Sequence, residues 1–265
     1  MKIFILKYKR VIAFAVLVIA IMLICTTAGV SVYDRSSGEL IDSINTCSVP
    51  QGKIMAHGVD VSRYQGDIDF NRVKADGYDF VILRAGTSQG GKDKNFETYY
   101  KNARSAGLDI GCYYYTYAYT AQEVKQEVFT LLEYIKGKSF NYPVFLDFEF
   151  HELLSYDRTD ENDAMIETFC KYVKRGGYYP GVYTSNSIYN RYIDKRTLGN
   201  KWDFWIASYR DNTHNYEGFK NSFSMWQYTS NGVVDGIDMR VDLNVSYVDY
   251  PEIISRFRQE LDAYT

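Results

Sequence analysis

The stretch Pro143-Val144-Phe145-Leu146-Asp147-Phe148-Glu149-Phe150 ends an apolar run with two acids held apart by one phenylalanine. In an extended strand successive side chains point to opposite faces, so Asp147 and Glu149 share a face about 6–7 Å apart. Burying one carboxylate is costly, and burying two together is costlier unless one of them holds a proton. A protonated carboxylic acid beside a carboxylate is what cleavage of a glycosidic bond requires. An isolated Asp-x-Glu also occurs as an ordinary helix cap or solvent-facing pair, so the reading depends on what surrounds it.

Short apolar runs alternate with amphipathic segments from His57 onward. Strands are expected at Val59 to Ser62, Phe80 to Ala85, Asp109 to Ala118, the Pro143 run and Gly181 to Thr184. Helices are expected at Asp69 to Asp76, Phe96 to Ala106, Ala121 to Ile135 and Glu161 to Arg175. That rhythm predicts a parallel sheet with crossover helices. Later strand-like runs, Asp203 to Tyr209, Ser222 to Thr229 and Val241 to Val245, are joined by segments too short and polar for long helices, before a closing helix at Ile253 to Leu261. The expected fold class is α/β, an irregular TIM-like β/α barrel with helices missing between the last strands. Catalytic groups in such barrels sit at the carboxyl ends of the strands. Those ends carry Asp60, Arg84, the Tyr113-Tyr115-Tyr117 series, Asp147 and Glu149, Tyr183, Trp205 and Tyr209, Trp226-Gln227-Tyr228, and Asp242 with Asn244.

His57-Gly58-Val59-Asp60-Val61-Ser62-Arg63-Tyr64-Gln65-Gly66 resembles the opening signature of glycoside hydrolase family 25, the N-acetylmuramidase or Chalaropsis-type lysozymes. The resemblance continues through Phe80 to Ala85, Gly111 to Tyr115, Asp147-Phe148-Glu149, Gly181-Val182-Tyr183, Trp205-Ile206-Ala207, Trp226-Gln227-Tyr228 and Val241-Asp242-Leu243-Asn244. It implies an irregular barrel and hydrolysis of the β-1,4 bond between N-acetylmuramic acid and N-acetylglucosamine. It also implies Glu149 as general acid, Asp147 as its neighbouring carboxylate, and Asp60 and Asp242 as the other active-site acids. Tyr64, Arg84, Tyr115, Tyr117, Tyr183, Trp205, Trp226 and Gln227 are the expected substrate-binding residues, with Arg84 read as an ion-pair partner of Asp60 or Asp147. Tyr114 stands where many members have histidine, and strand alternation points it away from Tyr113 and Tyr115.

The formal net charge of −3 leaves no basic footprint for nucleic acid. Tyrosine is abundant, 26 residues against 4 prolines, which suits a groove that stacks on sugar rings and hydrogen-bonds to them. Lys2, Lys7, Lys9 and Arg10 precede an uncharged run from Val11 to Val32, which divides the chain into a signal peptide or membrane anchor (1–32), a polar tether (33–56) and a hydrolase domain (57–265). The domain is expected to be exported and monomeric, facing the cell wall from the membrane or secreted if the leader is cleaved. Cys25, Cys47, Cys112 and Cys170 have no metal-site spacing, nor have His57, His151 and His214, so no metal or cofactor is expected. Cys112 and Cys170 read as buried thiols.

Three other readings remain open at this point: a tethered glycan-binding module without catalysis, a chitinase-like amino-sugar hydrolase, and an interaction protein of an envelope machine. The mechanism is open too, between attack by the substrate's own acetamido oxygen and direct attack by water.

Overall fold

The computed structural model describes Gly38 and residues 41–150, 152, 154–209 and 222–263. One compact unit runs from Ile44 to Ala263. In the other, residues 1–43 with 264–265, the described residues are Gly38 and 41–43, all helical. The Val11 to Val32 run, His151 and His214 lie outside the described residues, among which no helix is long and apolar enough to cross a membrane.

Strands β1 (Ala56–Val61), β2 (Phe80–Thr87), β4 (Asp109–Tyr115), β5 (Val144–Asp147), β6 (Pro180–Ser185), β7 (Asp203–Ala207), β8 (Met225–Val234) and β9 (Ile237–Ser246) close into a barrel, and the stub β3 (Gly91–Lys92) hangs on the outer end of β2. Helices α1 (Phe70–Ala75), α2 (Phe96–Ser105), α3 (Ala121–Ile135) and α4 (Thr159–Arg175) follow β1, β3, β4 and β5. Only the short α5 (Asn186–Tyr192) and α6 (Lys195–Leu198) separate β6 from β7, and no helix is described between β7 and β8. This is the irregular TIM-like barrel that the spacing of apolar runs predicts.

Strand alternation sorts the side chains. Val59, Val61, Val81, Leu83, Ile110, Cys112, Val144, Leu146 and Val182 point outward into one core shared with the helices. In α3 the buried residues are Val124, Val128, Leu131 and Ile135, a stripe at helical spacing that faces this core, and a capping box of Thr120 and Glu123 starts the helix. The alternate residues point into the barrel. There Gly58 and Gly181 leave room for large rings: a Cβ would meet the Phe80 ring at 2.3 Å in one case and the Phe145 ring at 2.5 Å in the other. Trp205 lies across this interior, its ring 5.1 Å from Phe145 and 4.4 Å from Tyr183, and floors the space above.

The last strand departs from the expected parallel order. β9 is antiparallel to both β8 and β1, so Asp242 and Asn244 reach the barrel from a strand that runs downward rather than from a carboxyl end. The cause is local. Val234 pairs with Ile237 across Asp235-Gly236, and Gly236 has φ 93°, the left-handed conformation that a two-residue hairpin turn needs. So short a link cannot make the crossover that a parallel strand requires.

The opposite mouth is closed by α7 (Tyr250–Asp262), capped by Asp249, which buries Tyr250, Ile254, Phe257 and Leu261. Residues 44–55, which fall in the expected tether, run along this end. Gln51 N and Met55 N donate to the carbonyls of Tyr247 and Ser246, both at 2.8 Å, and Ser48 N donates to Asp203 Oδ1 at 2.6 Å. Asp203 is buried at the start of β7, and burial lifts its carboxyl to about 6. Folding therefore favours its protonated form: that stabilisation is full below the ordinary aspartate value and is lost as pH rises through 6. The stability difference between wild type and Asp203→Asn, measured by urea titration, should change by on the order of 2–3 kcal/mol between pH 4 and pH 7, with the wild type losing ground as pH rises. A difference independent of pH would show that Asp203 does not carry this proton.

Candidate active site

The segment 147–149 keeps the alternation of β5 beyond the strand's end because its neighbours hold it on both sides. Thr116 N donates to the Asp147 carbonyl at 3.4 Å, Phe148 N donates to the Tyr183 carbonyl at 2.9 Å, and Thr184 Oγ1 donates to the Phe148 carbonyl at 2.7 Å. Phe148 is fully buried in the outer core. Asp147 and Glu149 thus turn inward together, and with Asp60, Asp242, Tyr113, Tyr183, Trp205, Tyr209 and Gln227 they line a cleft of about 250 Å³ at the mouth of the barrel.

Asp60 and Asp242 are direct cross-strand partners on β1 and β9. Asp60 Oδ2 accepts from Gln227 Nε2 at 2.7 Å and from Asn244 Nδ2 at 2.9 Å. Behind these amides, Tyr183 and Tyr209 donate their hydroxyls to Gln227 Oε1 at 2.9 and 2.5 Å, and Trp205 Nε1 donates to Asn244 Oδ1 at 2.8 Å. Asp147 is buried, and its Oδ1 has no hydrogen-bond partner. Glu149 stands at the mouth, open to solvent on one side and walled by the barrel rim on the other.

Burial raises all four carboxyls above their ordinary range. At Asp60 the charge of Asp242 adds to burial and the two amide donors oppose it; at Asp147 the charges of Glu149 and Asp60 add and Arg84 opposes. Asp242 is lifted to about 6, with its hydrogen bond to Asp60 pulling the other way. Glu149 is raised by burial and then by the charge of Asp242. Like charges this close cannot all ionise, so the cluster carries protons into the neutral range.

Residues 59–237 match Glycosyl hydrolases family 25. The chain belongs to that family. It is 32% identical over 194 residues to "Probable GH family 25 lysozyme 2" of Dictyostelium discoideum, covering 71% of this chain and 89% of that one. It is 28% identical to the "Autolytic lysozyme" of Clostridium acetobutylicum, covering 71% of this chain and 54% of that one. Among solved structures, the modular autolysin LytC of Streptococcus pneumoniae superposes with a TM-score of 0.63 at 28% identity, covering 72% of this chain and 46% of that one. The chain thus spans about half the length of the clostridial and streptococcal proteins. It is a glycoside hydrolase of the lysozyme type.

Of the residues singled out in the sequence, the cleft brings together Asp60, Asp147, Glu149, Asp242, Tyr183, Trp205 and Gln227. Tyr115 and Tyr117 form its flank, with rings 4.7 Å apart; burial and then the charges of Asp147 and Glu149 push the Tyr115 hydroxyl up. Phe150 extends this wall, its ring 5.0 Å from Tyr117 and 5.5 Å from the exposed Tyr119. Tyr114 is buried in the outer core, as alternation requires.

Two expectations are corrected. Trp226 is not at the site: it faces outward from β8 and packs with Val245 and Tyr247, donating its indole N–H to the Ser208 carbonyl at 2.9 Å. Arg84 does not pair with Asp60 or Asp147. Its Nε and Nη2 both donate to Asp93 Oδ2, at 2.8 and 2.7 Å, and its guanidinium lies 4.9 Å from the ring of the exposed Tyr64. Asp93 escaped sequence reasoning, although the Gly90-Gly91 turn just before it folds β3 back on β2 and brings it beside Ala85, whose carbonyl accepts from Asp93 N at 2.9 Å, next to Arg84. It also accepts from the backbone N–H groups of Arg63 and Asn95, at 3.1 and 3.0 Å, tying the loop after β1 to β2. Asp93→Ala leaves the Arg84 charge unpaired and is expected to cost about 3 kcal/mol in urea unfolding; a loss below about 1 kcal/mol would remove this anchoring role. Trp226→Phe should lower stability while leaving KM and kcat within about twofold of wild type, since a change away from the cleft acts through packing.

Proposed function

We propose that this family 25 domain is a peptidoglycan hydrolase that cleaves the β-1,4 bond between N-acetylmuramic acid and N-acetylglucosamine, with Glu149 as general acid. The observation that carries the reading is the convergence of four carboxyls with raised pKa on one tyrosine-lined cleft, with Asp60 and Asp147 buried, Asp242 half-buried and Glu149 exposed at the mouth. A glycosidic oxygen held within a polymer can approach Glu149 but not the buried Asp147. A sugar seated in the cleft excludes water from Glu149 and raises its pKa further, so that the proton is there to be given. Relatives named as lysozymes, and a LytC structure described as a complex with a synthetic peptidoglycan ligand, support the same substrate class.

Asp147 carries the second role. Its Oδ1 is buried and unpartnered, and a buried carboxylate oxygen calls for a donor. The N–H of a 2-acetamido group would supply one, aligning the acetamido oxygen for attack on the anomeric carbon while Arg84 favours the ionised form of Asp147. Asp60 is a poor base for activating water, since two amides and Asp242 already occupy its oxygens. Tyr115, Tyr117 and Phe150 then form a stacking wall for neighbouring sugars.

On this reading the domain acts outside the cytoplasm, behind a leader and a tether that is shorter than 33–56, since residues 44–55 pack as part of the domain. The Val11 to Val32 run would direct export, as a cleaved signal or a retained anchor.

Digestion of purified peptidoglycan should release fragments with reducing N-acetylmuramic acid, read by mass spectrometry; reducing N-acetylglucosamine alone would reject the proposed bond. Glu149→Gln should lower kcat by about 10³-fold with unchanged thermal unfolding, and wild-type turnover in that variant would end the assignment. De-N-acetylated glycan should resist cleavage if the acetamido oxygen attacks, whereas undiminished cleavage would favour direct attack by water.

A further inference from the structure

The amides behind Asp60 have fixed orientations. An indole N–H can only donate, so the atom of Asn244 facing Trp205 Nε1 is its carbonyl oxygen, and Asn244 must present Nδ2 to Asp60. Gln227 is oriented by Asp60 and the tyrosines together: a tyrosine hydroxyl can donate or accept, but Asp60 Oδ2, already an acceptor for Asn244, takes Nε2 and leaves Oε1 to the tyrosines. Burial keeps the Tyr183 and Tyr209 hydroxyls protonated, and both donate to Oε1. Nε2 is left to face Asp60 Oδ2, where a flipped amide would set one oxygen against another. Gln227 and Asn244 are themselves cross-strand partners, so one hairpin delivers both donors in register. An oxygen that receives two N–H donors is not the one that carries a proton. A proton held by Asp60 therefore sits on Oδ1, leaving it to be shared with Asp242, the partner directly across the strands.

We propose that Gln227 is a positioning residue: oriented by Tyr183 and Tyr209, and seconded by Asn244, it confines the proton shared by Asp60 and Asp242 to the side facing Asp242, and so fixes the charge that this pair presents beside Glu149. Besides Asp242, the groups facing Asp60 are Asp147 and Glu149 from β5 and its extension and Tyr113 from β4, with Arg84 from β2 offsetting part of the negative charge. The proposal rests on the hydrolase reading for its kinetic consequence alone, since the proton can be followed without turnover.

The test is a carboxyl 13C NMR titration of wild type, Gln227→Leu, Gln227→Glu and Tyr209→Phe, with the pH profile of kcat recorded in parallel. Loss of the Gln227 donor removes a bond that favours ionised Asp60, so the first ionisation of the pair should move up by about one pH unit, and the acid limb of kcat with it. Gln227→Glu should shift it at least as far, because it keeps the tyrosine contacts but offers Asp60 no N–H. Tyr209→Phe removes one orienting hydroxyl from a side chain that is 49% exposed, and should move the limb in the same direction by about a third of a unit. If the Gln227 variants do not fold, Tyr209→Phe decides alone. Transitions that stay at their wild-type pH, or activity reduced equally at every pH, would overturn the proposal. NMR shifts in a protein that leaves peptidoglycan intact would support the positioning role and reject the hydrolase reading.

Discussion

Four carboxyls share the mouth of this barrel, and they cannot all be charged there at once. The rest of the site answers that constraint. Asp60 and Asp242 face each other across two strands, Asp147 is buried beside them, and Glu149 opens to solvent at the rim. The cluster relieves its repulsion by holding protons, by drawing amide donors onto Asp60, and by keeping the Arg84 guanidinium within reach of Asp147. Arg84 is itself tied to Asp93, so it lends positive charge to the cleft without collapsing onto an acid.

That arrangement depends on strand alternation being obeyed from the core to the rim. Val144 and Leu146 face the helices and Phe148 does the same beyond the strand's end, so Asp147 and Glu149 have only the interior to occupy. The bonds from Phe148 N to the Tyr183 carbonyl and from Thr184 Oγ1 to the Phe148 carbonyl extend this order by two residues past β5. Below, Phe145 and Trp205 fill the interior, so the acids stand on an aromatic floor rather than over a water-filled shaft.

Much of this was legible in the chain. The Asp-x-Glu spacing fixed a shared face, and the apolar runs fixed the strands and the helices that follow β4 and β5. Other features depended on information the pattern lacks. Trp226 and Gln227 are adjacent, so one must face in and the other out, and periodicity alone does not say which. The reversal of β9 was signalled by Asp235-Gly236 between Val234 and Ile237, a turn dipeptide that outweighs the expectation of another parallel strand. The Arg84–Asp93 pair needs the β3 stub, too short to leave a periodic trace. Which of the acids is buried and which meets solvent is defined only once the barrel closes.

The hairpin of β8 and β9 has a further consequence. Gln227 lies on one arm and Asp242 with Asn244 on the other, joined through a two-residue bend. Three of the polar groups around Asp60 therefore ride on a single ribbon and move as one piece. Slipping either arm by one residue would turn its acid or amide toward the outer shell and bring Leu243 or Trp226 inward. An insertion or deletion on either arm would consequently change which side chains face Asp60, so chain length here matters as much as residue identity.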